Sequence, residues 1–323
     1  MSLGLYIGTI GTSVWFSYDL GETWKRPYSE SGLYLECRVW SLTTNPAEPG
    51  KIFAGTDEGI YRWNDVTEKW THHPSPMDTT PVWALAQSPH DPKYLLAGTQ
   101  PAALFRSRDG GETWSRVLVH LATSCVFVQR PRVTQIVFDP LDPRLVWMGV
   151  EIDGVYRSQD GGETWSKCCN GLVSEDIHGL AVLPDGRRKL FATTNKGLHC
   201  SLDDGASWVF RPLDSSWQYT RAIVPRPDGN AIFLTNGNGP PGSTGKLLRS
   251  VDAGETWHDA RLPGELNSTP WCVATHGAAP HVVFVSTNFG QLFRSLDGGD
   301  NWEKLKREFG EVRAMMLHPT EAA

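Results

Sequence analysis

The chain lacks the features of several large functional classes. Charged residues make up only 20% of its 323 residues and the formal net charge is −6, so no broad basic surface for nucleic acid is expected. No apolar run is long enough to span a bilayer, and no membrane association is expected. The N-terminus, Met1-Ser-Leu-Gly-Leu-Tyr-Ile-Gly-Thr9, has no basic segment ahead of a long apolar core, so it does not read as a secretory signal. The six cysteines (37, 125, 168, 169, 200 and 272) show no CxxC and no regular spacing. A reduced, cytoplasmic protein is the expectation. Zinc motifs, phosphate-cradling glycine loops and nucleophile elbows are all missing, so no metal and no cofactor are expected.

Tryptophan, by contrast, is plentiful. There are 14, and half of them end one repeated octapeptide. Ser107-Arg-Asp-Gly-Gly-Glu-Thr-Trp114 and Ser158-Gln-Asp-Gly-Gly-Glu-Thr-Trp165 are nearly identical. Segments 17–24, 201–208, 250–257 and 295–302 fit the same pattern, S-x-D-x-G-x-[TSN]-W, and a worn copy ends at Trp70, keeping Asp65. The box aspartates fall at 19, 65, 109, 160, 203, 252 and 297. Each box lies between two short apolar runs, as a turn between strands does. Its Ser and Asp oxygens can accept backbone N–H bonds within the turn. Its glycine supplies a positive φ. Its Trp is large enough to fill the gap between neighbouring sheets. One carboxylate per repeat suits a turn and far exceeds what an active site needs.

The spacing of the boxes suits four-stranded blades of a propeller. The expected fold is all-β, a seven-bladed β-propeller forming a single domain. The blades are expected at about 38–76, 81–118, 132–170, 176–213, 219–263 and 269–308, with a last blade made of 311–319 plus 4–27. Pairing the two chain ends in one blade removes open sheet edges. Turns carrying proline, such as Asn45-Pro46 and Asp139-Pro140, are expected after the inner strands.

The motif resembles the Asp-box, or bacterial neuraminidase repeat. Propellers of sialidases, sortilin-type receptors, xyloglucanases and photosystem II assembly factors share it. The resemblance covers essentially the whole chain and implies the propeller fold, without fixing a function. Sialidases hold a substrate carboxylate with an arginine cluster, but the Phe-Arg-Ile-Pro motif that brings the first of those arginines is absent here. Xyloglucanases set two such propellers around a cleft, and this chain holds one. The assembly factors match in size and bind proteins, but they are exported.

Comparing the blades with one another exposes two irregular columns. At the inner strands one reads Trp40, Trp83, Thr134, His178, Arg221, Trp271, Arg313. Two residues earlier the other reads Arg38, Pro81, Arg132, Asp176, Tyr219, Thr269, Glu311. Period-2 alternation places both columns on one side of each strand. A purely structural column is expected to repeat one residue type. The expected ligand-binding set is therefore Arg38, Arg132, Arg221, Arg313, Trp40, Trp83, Trp271 and Tyr219, at one mouth of the channel. Arginines converging on a concave site suit a carboxylate or phosphate. Tryptophan faces suit a sugar ring. The opposing expectation pairs each Arg with Asp176, Glu311 or Glu36 in a structural network.

Glu151, Asp176 and His178 are the expected acid/base residues, among other carboxylates (Glu36, Asp57, Asp153, Glu175, Glu311) near the same mouth. Glu151 and Asp153 are expected as solvated loop residues. Cys168 and Cys169 are expected to be partly buried rather than redox-active. Loops 27–37, 118–132 and 236–246 are longer than the repeat requires, and the apolar stretch within 118–132 suits protein docking. Two functions follow. One is a binder of a small anionic, carbohydrate-like ligand, with glycosidase-like hydrolase or lyase chemistry. The other is a non-catalytic assembly scaffold that docks a protein through loops 27–37 and 118–132.

Overall fold

The computed structural model describes residues 2–26, 28–44, 51–64, 66–126, 129–183, 186 and 188–320. The worn-box Asp65, the Asn45-Pro46 turn and parts of loops 27–37 and 118–132 (Pro27, Phe127 and Val128) lie outside the described residues.

The fold is the expected seven-bladed β-propeller. Blade 1 runs Val39–Thr44, Lys51–Thr56, Gly59–Asn64 and Lys69–His73 in consecutive antiparallel order. Blades 2 to 6 repeat that order from inner strands at Val82–Gln87, Val133–Phe138, Ile177–Val182, Tyr219–Pro225 and Pro270–Thr275. In blade 7 the C-terminal strand Val312–Thr320 pairs with Ser2–Thr9, which pairs with Val14–Ser17, and a bridge from Phe16 to Lys25 marks the fourth position. The ends of the chain thus share one blade, as expected.

Contacts divide the chain into two compact units, one of Met1–Val150, Ser158–Trp165 and Arg313–Ala323, the other of Glu151–Arg157 and Ser166–Val312. In the first, one buried cluster joins Tyr6 and Phe16 of blade 7 to Trp63 and Trp70 of blade 1, and a second joins Phe53 of blade 1 to Leu95, Phe105 and Trp114 of blade 2. In the second, Phe191 of blade 4 packs with Leu234 and Leu248 of blade 5, and Phe233 of blade 5 packs with Val285 and Phe293 of blade 6. Each cluster belongs to a pair of blades rather than to one blade alone.

The box is the device that the sequence implied. In all six complete copies the Ser Oγ accepts the N–H of the box glycine at 2.8 Å. In the same copies the Asp Oδ1 accepts the N–H of the Thr, Ser or Asn at 2.9 Å. The box Trp then packs on the preceding blade. Trp257 meets Phe191 edge-on at 6.4 Å, and Trp302 meets Phe233 at 6.1 Å. The box glycine lies on the same aromatic: a Cβ on Gly254 would stand 2.4 Å from Phe191, and one on Gly299 2.6 Å from Phe233.

These bonds carry a pH dependence. The Asp203 and Asp252 carboxyls are lowered first by the hydroxyls of Ser207 and Thr256, with backbone N–H groups adding to it. At Asp109 and Asp160 burial works the other way but is outweighed by the Thr113 and Thr164 hydroxyls and the backbone donors. Asp109, Asp160, Asp203 and Asp297 are held at about 2. A folded-state pKa below the unfolded value of about 3.9 gives stability that is complete above the latter and is lost as pH falls through the former. The melting temperature is therefore expected to drop between about pH 4 and pH 2. Thermal melts of a variant with Asp109 and Asp203 replaced by Asn should show a shallower acid decline; an equal slope would show that other groups set it.

Neighbouring blades also meet through charge. The Arg just before a box reaches the acid of the following box, as Arg62 does to Glu112 at 2.7 Å, Arg106 to Glu163 and Arg249 to Asp300. The blade 4 box, 201–208, has Ala206 in place of that acid, and Arg157 instead donates to the Asp204 carbonyl at 3.1 Å. Blade 4 has Cys200 where the Arg would stand, and Lys189 takes Glu255 at 2.5 Å.

Candidate functional site

Every inner strand of blades 1 to 6 is broken at the same place. Val39 pairs with Thr56 and Ser41 with Gly55, so Trp40 is an extra residue on its strand. Trp83, Thr134, His178 and Trp271 are extra in the same way, and in blade 5 the shift falls between Thr220 and Ile223, at Arg221-Ala222. The irregular column is thus a column of β-bulges. A bulge releases its residue from the ladder and re-aims the side chain, and bulges recur next to active sites. It also shifts the parity of the strand. Simple alternation therefore does not hold beyond it, while the contacts of Arg132 with Trp83 and of His178 with Asp176 and Tyr219 join members of the two columns.

In the first unit, the Trp40 and Trp83 rings stack at 4.0 Å with planes 22° apart. The Arg132 guanidinium lies 3.9 Å from the Trp83 ring centre. The strand of Trp83 contacts those of Trp40 and Arg132 on either side, so Trp83 is sandwiched and only 8% exposed. It offers no free face to a sugar, contrary to the expected stacking role. Trp40 is half-buried and Arg38 is exposed. The Arg38 backbone N–H donates to Asp57 Oδ1 at 3.1 Å. Arg313 is half-buried, as is Glu311 of the second unit.

In the second unit, Asp176 and His178 come together, with Asp176 Oδ2 3.4 Å from His178 Nε2. His178 Nδ1 is 2.7 Å from the Thr220 carbonyl. A carbonyl only accepts, so Nδ1 carries the hydrogen, and Nε2 is the nitrogen that faces the carboxylate. The His178 ring leans on Tyr219 at 4.9 Å. Arg221 stacks on Trp271 at 4.2 Å. Among the described residues no carboxylate lies within ion-pair distance of Arg221. Arg132 and Arg221 have thus taken tryptophan faces of neighbouring blades. Stacking covers one face of a guanidinium and leaves its in-plane N–H donors directed outward.

Glu151 and Asp153 are not solvated. They are 4% and 7% exposed, in the turn between the second and third strands of blade 3. Asp153 accepts the Tyr156 hydroxyl at 2.9 Å and Lys167 Nζ at 3.0 Å, and Lys167 also meets Glu175 at 2.7 Å. Burial opposes the Lys167 charge, but the Glu175 and Asp153 carboxylates outweigh it and raise its pKa. Burial and the Asp153 hydrogen bond likewise raise Tyr156. This clasp explains why Asp153 tolerates burial. Sequence reading missed Lys167 because it lies one strand further on, paired across the sheet with Tyr156. Cys168 and Cys169 are partly buried free thiols, and burial pushes Cys168 up to about 11. No group of three or more His, Cys, Asp or Glu able to hold a metal occurs among the described residues.

With the bulged column and the boxes in view, similarity to known proteins becomes informative. The BNR/Asp-box repeat matches at residues 105–116 and 156–167. A xyloglucanase from a Paenibacillus species is 27% identical over 88% of this chain and 32% of its own length. The photosystem II assembly protein Ycf48 of a Synechococcus strain is 27% identical over 52% of this chain and 49% of its own. Among solved structures, a GH74 enzyme of Niastella koreensis matches with a TM-score of 0.68 at 22% identity, over 82% of this chain and 45% of that one. YCF48 bound to D1 peptide matches with a TM-score of 0.59 at 14% identity, over 87% and 93%. The chain is a seven-bladed β-propeller built on BNR/Asp-box repeats. It spans about a third of the length of the first xyloglucanase it matches.

Proposed function

We propose that this propeller binds a small anionic, sugar-like ligand through the bulged inner strands and acts on it as a hydrolase. The observation that carries this reading is Arg221. Its guanidinium is half-buried, held at 4.2 Å on Trp271, and without a carboxylate among the described residues. A guanidinium fixed in this way is pre-organised for bidentate capture of a carboxylate or phosphate. Asp176 and His178 supply the proton exchange, with His178 held in one tautomer by Thr220. The similarity to xyloglucanases supports a carbohydrate as the ligand class.

Calorimetric titration with short uronate-bearing oligosaccharides tests the reading. Arg221→Ala is expected to weaken binding roughly 10- to 100-fold, the worth of one charge-assisted contact. His178→Gln should leave binding in place and remove turnover. Unchanged affinity in the Arg221 variant would overturn the assignment.

A second reading, a protein-docking scaffold, is favoured by Leu118 and Val126, which are 89% and 93% exposed on the long connection after blade 2. It is also favoured by the likeness to a propeller solved with a peptide. Loss of a co-purifying protein on deletion of 119–126, with no saccharide bound by the intact chain, would select it.

A further inference from the structure

A cleft of about 630 Å³ opens beside the outer strands of blade 5, and none of the inner-strand residues discussed above lines it. Its walls include Trp217, Ser243, Lys246, Asp259, Arg261 and Glu265. The Gly/Pro-rich loop 236–246, which sequence reading singled out, supplies one wall. We infer that this cleft is a binding site for a neutral oligosaccharide, separate from the anion site proposed above and independent of it.

Charge is the first argument. Two cations and two carboxylates line the cleft, Lys246 and Asp259 lying 3.5 Å apart. They cancel, so the site has no net attraction for an ion. It does present acceptors (Asp259, Glu265) and donors (Lys246, Arg261) together with the Ser243 hydroxyl. Such a mixed set matches the donor-and-acceptor hydroxyls of a sugar. The half-buried Trp217 indole provides a flat apolar surface for the C–H face of a pyranose. The volume falls within the range of about 300–1,000 Å³ usual for small-ligand sites.

Rigidity is the second argument. The fully buried Asn236 amide donates to the Trp217 carbonyl at 3.0 Å and accepts from the Ser215 hydroxyl at 2.6 Å, which fixes the loop bearing the indole. Gln218 ties the same loop to Leu213 N–H at 3.2 Å and to its carbonyl at 3.0 Å. On the other wall, Gln291 donates to the Glu265 carbonyl at 3.1 Å and accepts from Asn267 N–H at 2.9 Å. The walls are pre-formed, so a ligand is spared the cost of ordering them.

Backbone pairing is the third argument. Beyond the outer strand His258–Asp259, the Ala260 N–H donates to the Leu247 carbonyl at 2.8 Å and the Arg261 N–H donates to Asp259 Oδ1 at 2.8 Å. These donors are consumed within the fold, which disfavours an added peptide strand. An occupant must be held by side chains.

Titration of the intact protein with xylogluco- and cello-oligosaccharides, with an oligogalacturonate as the charged comparison, tests the inference. Neutral oligosaccharides are expected to bind, and Trp217→Ala to weaken them roughly tenfold or more through loss of the stacking face. Trp217→Phe should restore most of the affinity. Glu265→Gln, on the exposed rim, should weaken binding several-fold without disturbing the fold. Arg221→Ala should leave neutral binding unchanged. The inference is overturned if no neutral oligosaccharide binds at millimolar concentration. It is equally overturned if Trp217→Ala and Glu265→Gln both bind as the parent does, or if Arg221→Ala alone abolishes neutral binding. The last result would place the sugar at the inner strands instead.

Discussion

Trp83→Ala is expected to lower stability by about 3–5 kcal/mol, as loss of a large buried ring from a packed site does. The ring is 8% exposed, with Trp40 stacked on one face and Arg132 on the other. Removing it leaves a slot between three inner strands that cannot close without moving whole blades. Arg132→Ala should cost far less, about 0.5–2 kcal/mol, the worth of a cation–π contact. Urea unfolding of the two variants against the parent measures both. The contrast separates two kinds of residue, one from each irregular column. If Trp83→Ala costs less than about 1 kcal/mol, the ring is dispensable to packing and its place in the column must be explained by a ligand.

Gly171→Ala is expected to be at least as damaging, at about 3 kcal/mol or more, because strain and overlap act together. Gly171 sits at φ +86°, where an L side chain is disfavoured, and a Cβ there would lie 2.1 Å from the Trp208 carbonyl oxygen. Backbone cannot swing aside as a side chain can, since the Trp208 N–H is itself bonded to the Asn170 carbonyl at 2.8 Å. Gly32 stands in the same relation to Trp70, at φ +93° and 2.0 Å. In both, the connection leaving one blade is pressed onto the box tryptophan of the next. Thermal melts should show Gly171→Ala far below a control such as Gly229→Ala, whose Cβ would meet nothing within 4 Å although its φ is also positive. Equal losses would mean that φ alone sets the cost.

The boxes were legible because each is a closed local device. Ser, Asp, Gly and Trp meet within eight residues, so spacing alone fixes the geometry. The shared blade was legible because a strand missing at one end was present at the other. The inner-strand site was legible only in part. Its residues stand out by type, but nothing in Val39-Trp-Ser or Ile177-His-Gly announces a bulge, which depends on the partner strand. The packing of Trp83 between Trp40 and Arg132 is likewise a property of the folded blades. Glu151 and Asp153 were misjudged for a related reason. Their turn resembles a surface loop until Tyr156 and Lys167 are brought against Asp153 by strand pairing. Asp176 and His178, two residues apart, stood out as candidates in the sequence. Their mutual approach and the grip of Thr220 on the ring are properties of the folded bulge.

The charged clasps between successive blades give the repeats a syntax. Exposed ion pairs of this sort contribute only about 0–1 kcal/mol each, too little to explain their recurrence by stability. What they encode is succession. Arg62 needs an acid at position 112, and Arg106 needs one at 163. Arg157 meets a box with Ala206 in place of the clasp acid and takes the Asp204 carbonyl, while Cys200 in blade 4 makes no such claim on Glu255, which goes to Lys189. Three junctions share one clasp, whereas the junctions into and out of blade 4 depart from it. These few charges therefore distinguish some neighbouring pairs of blades and leave others alike.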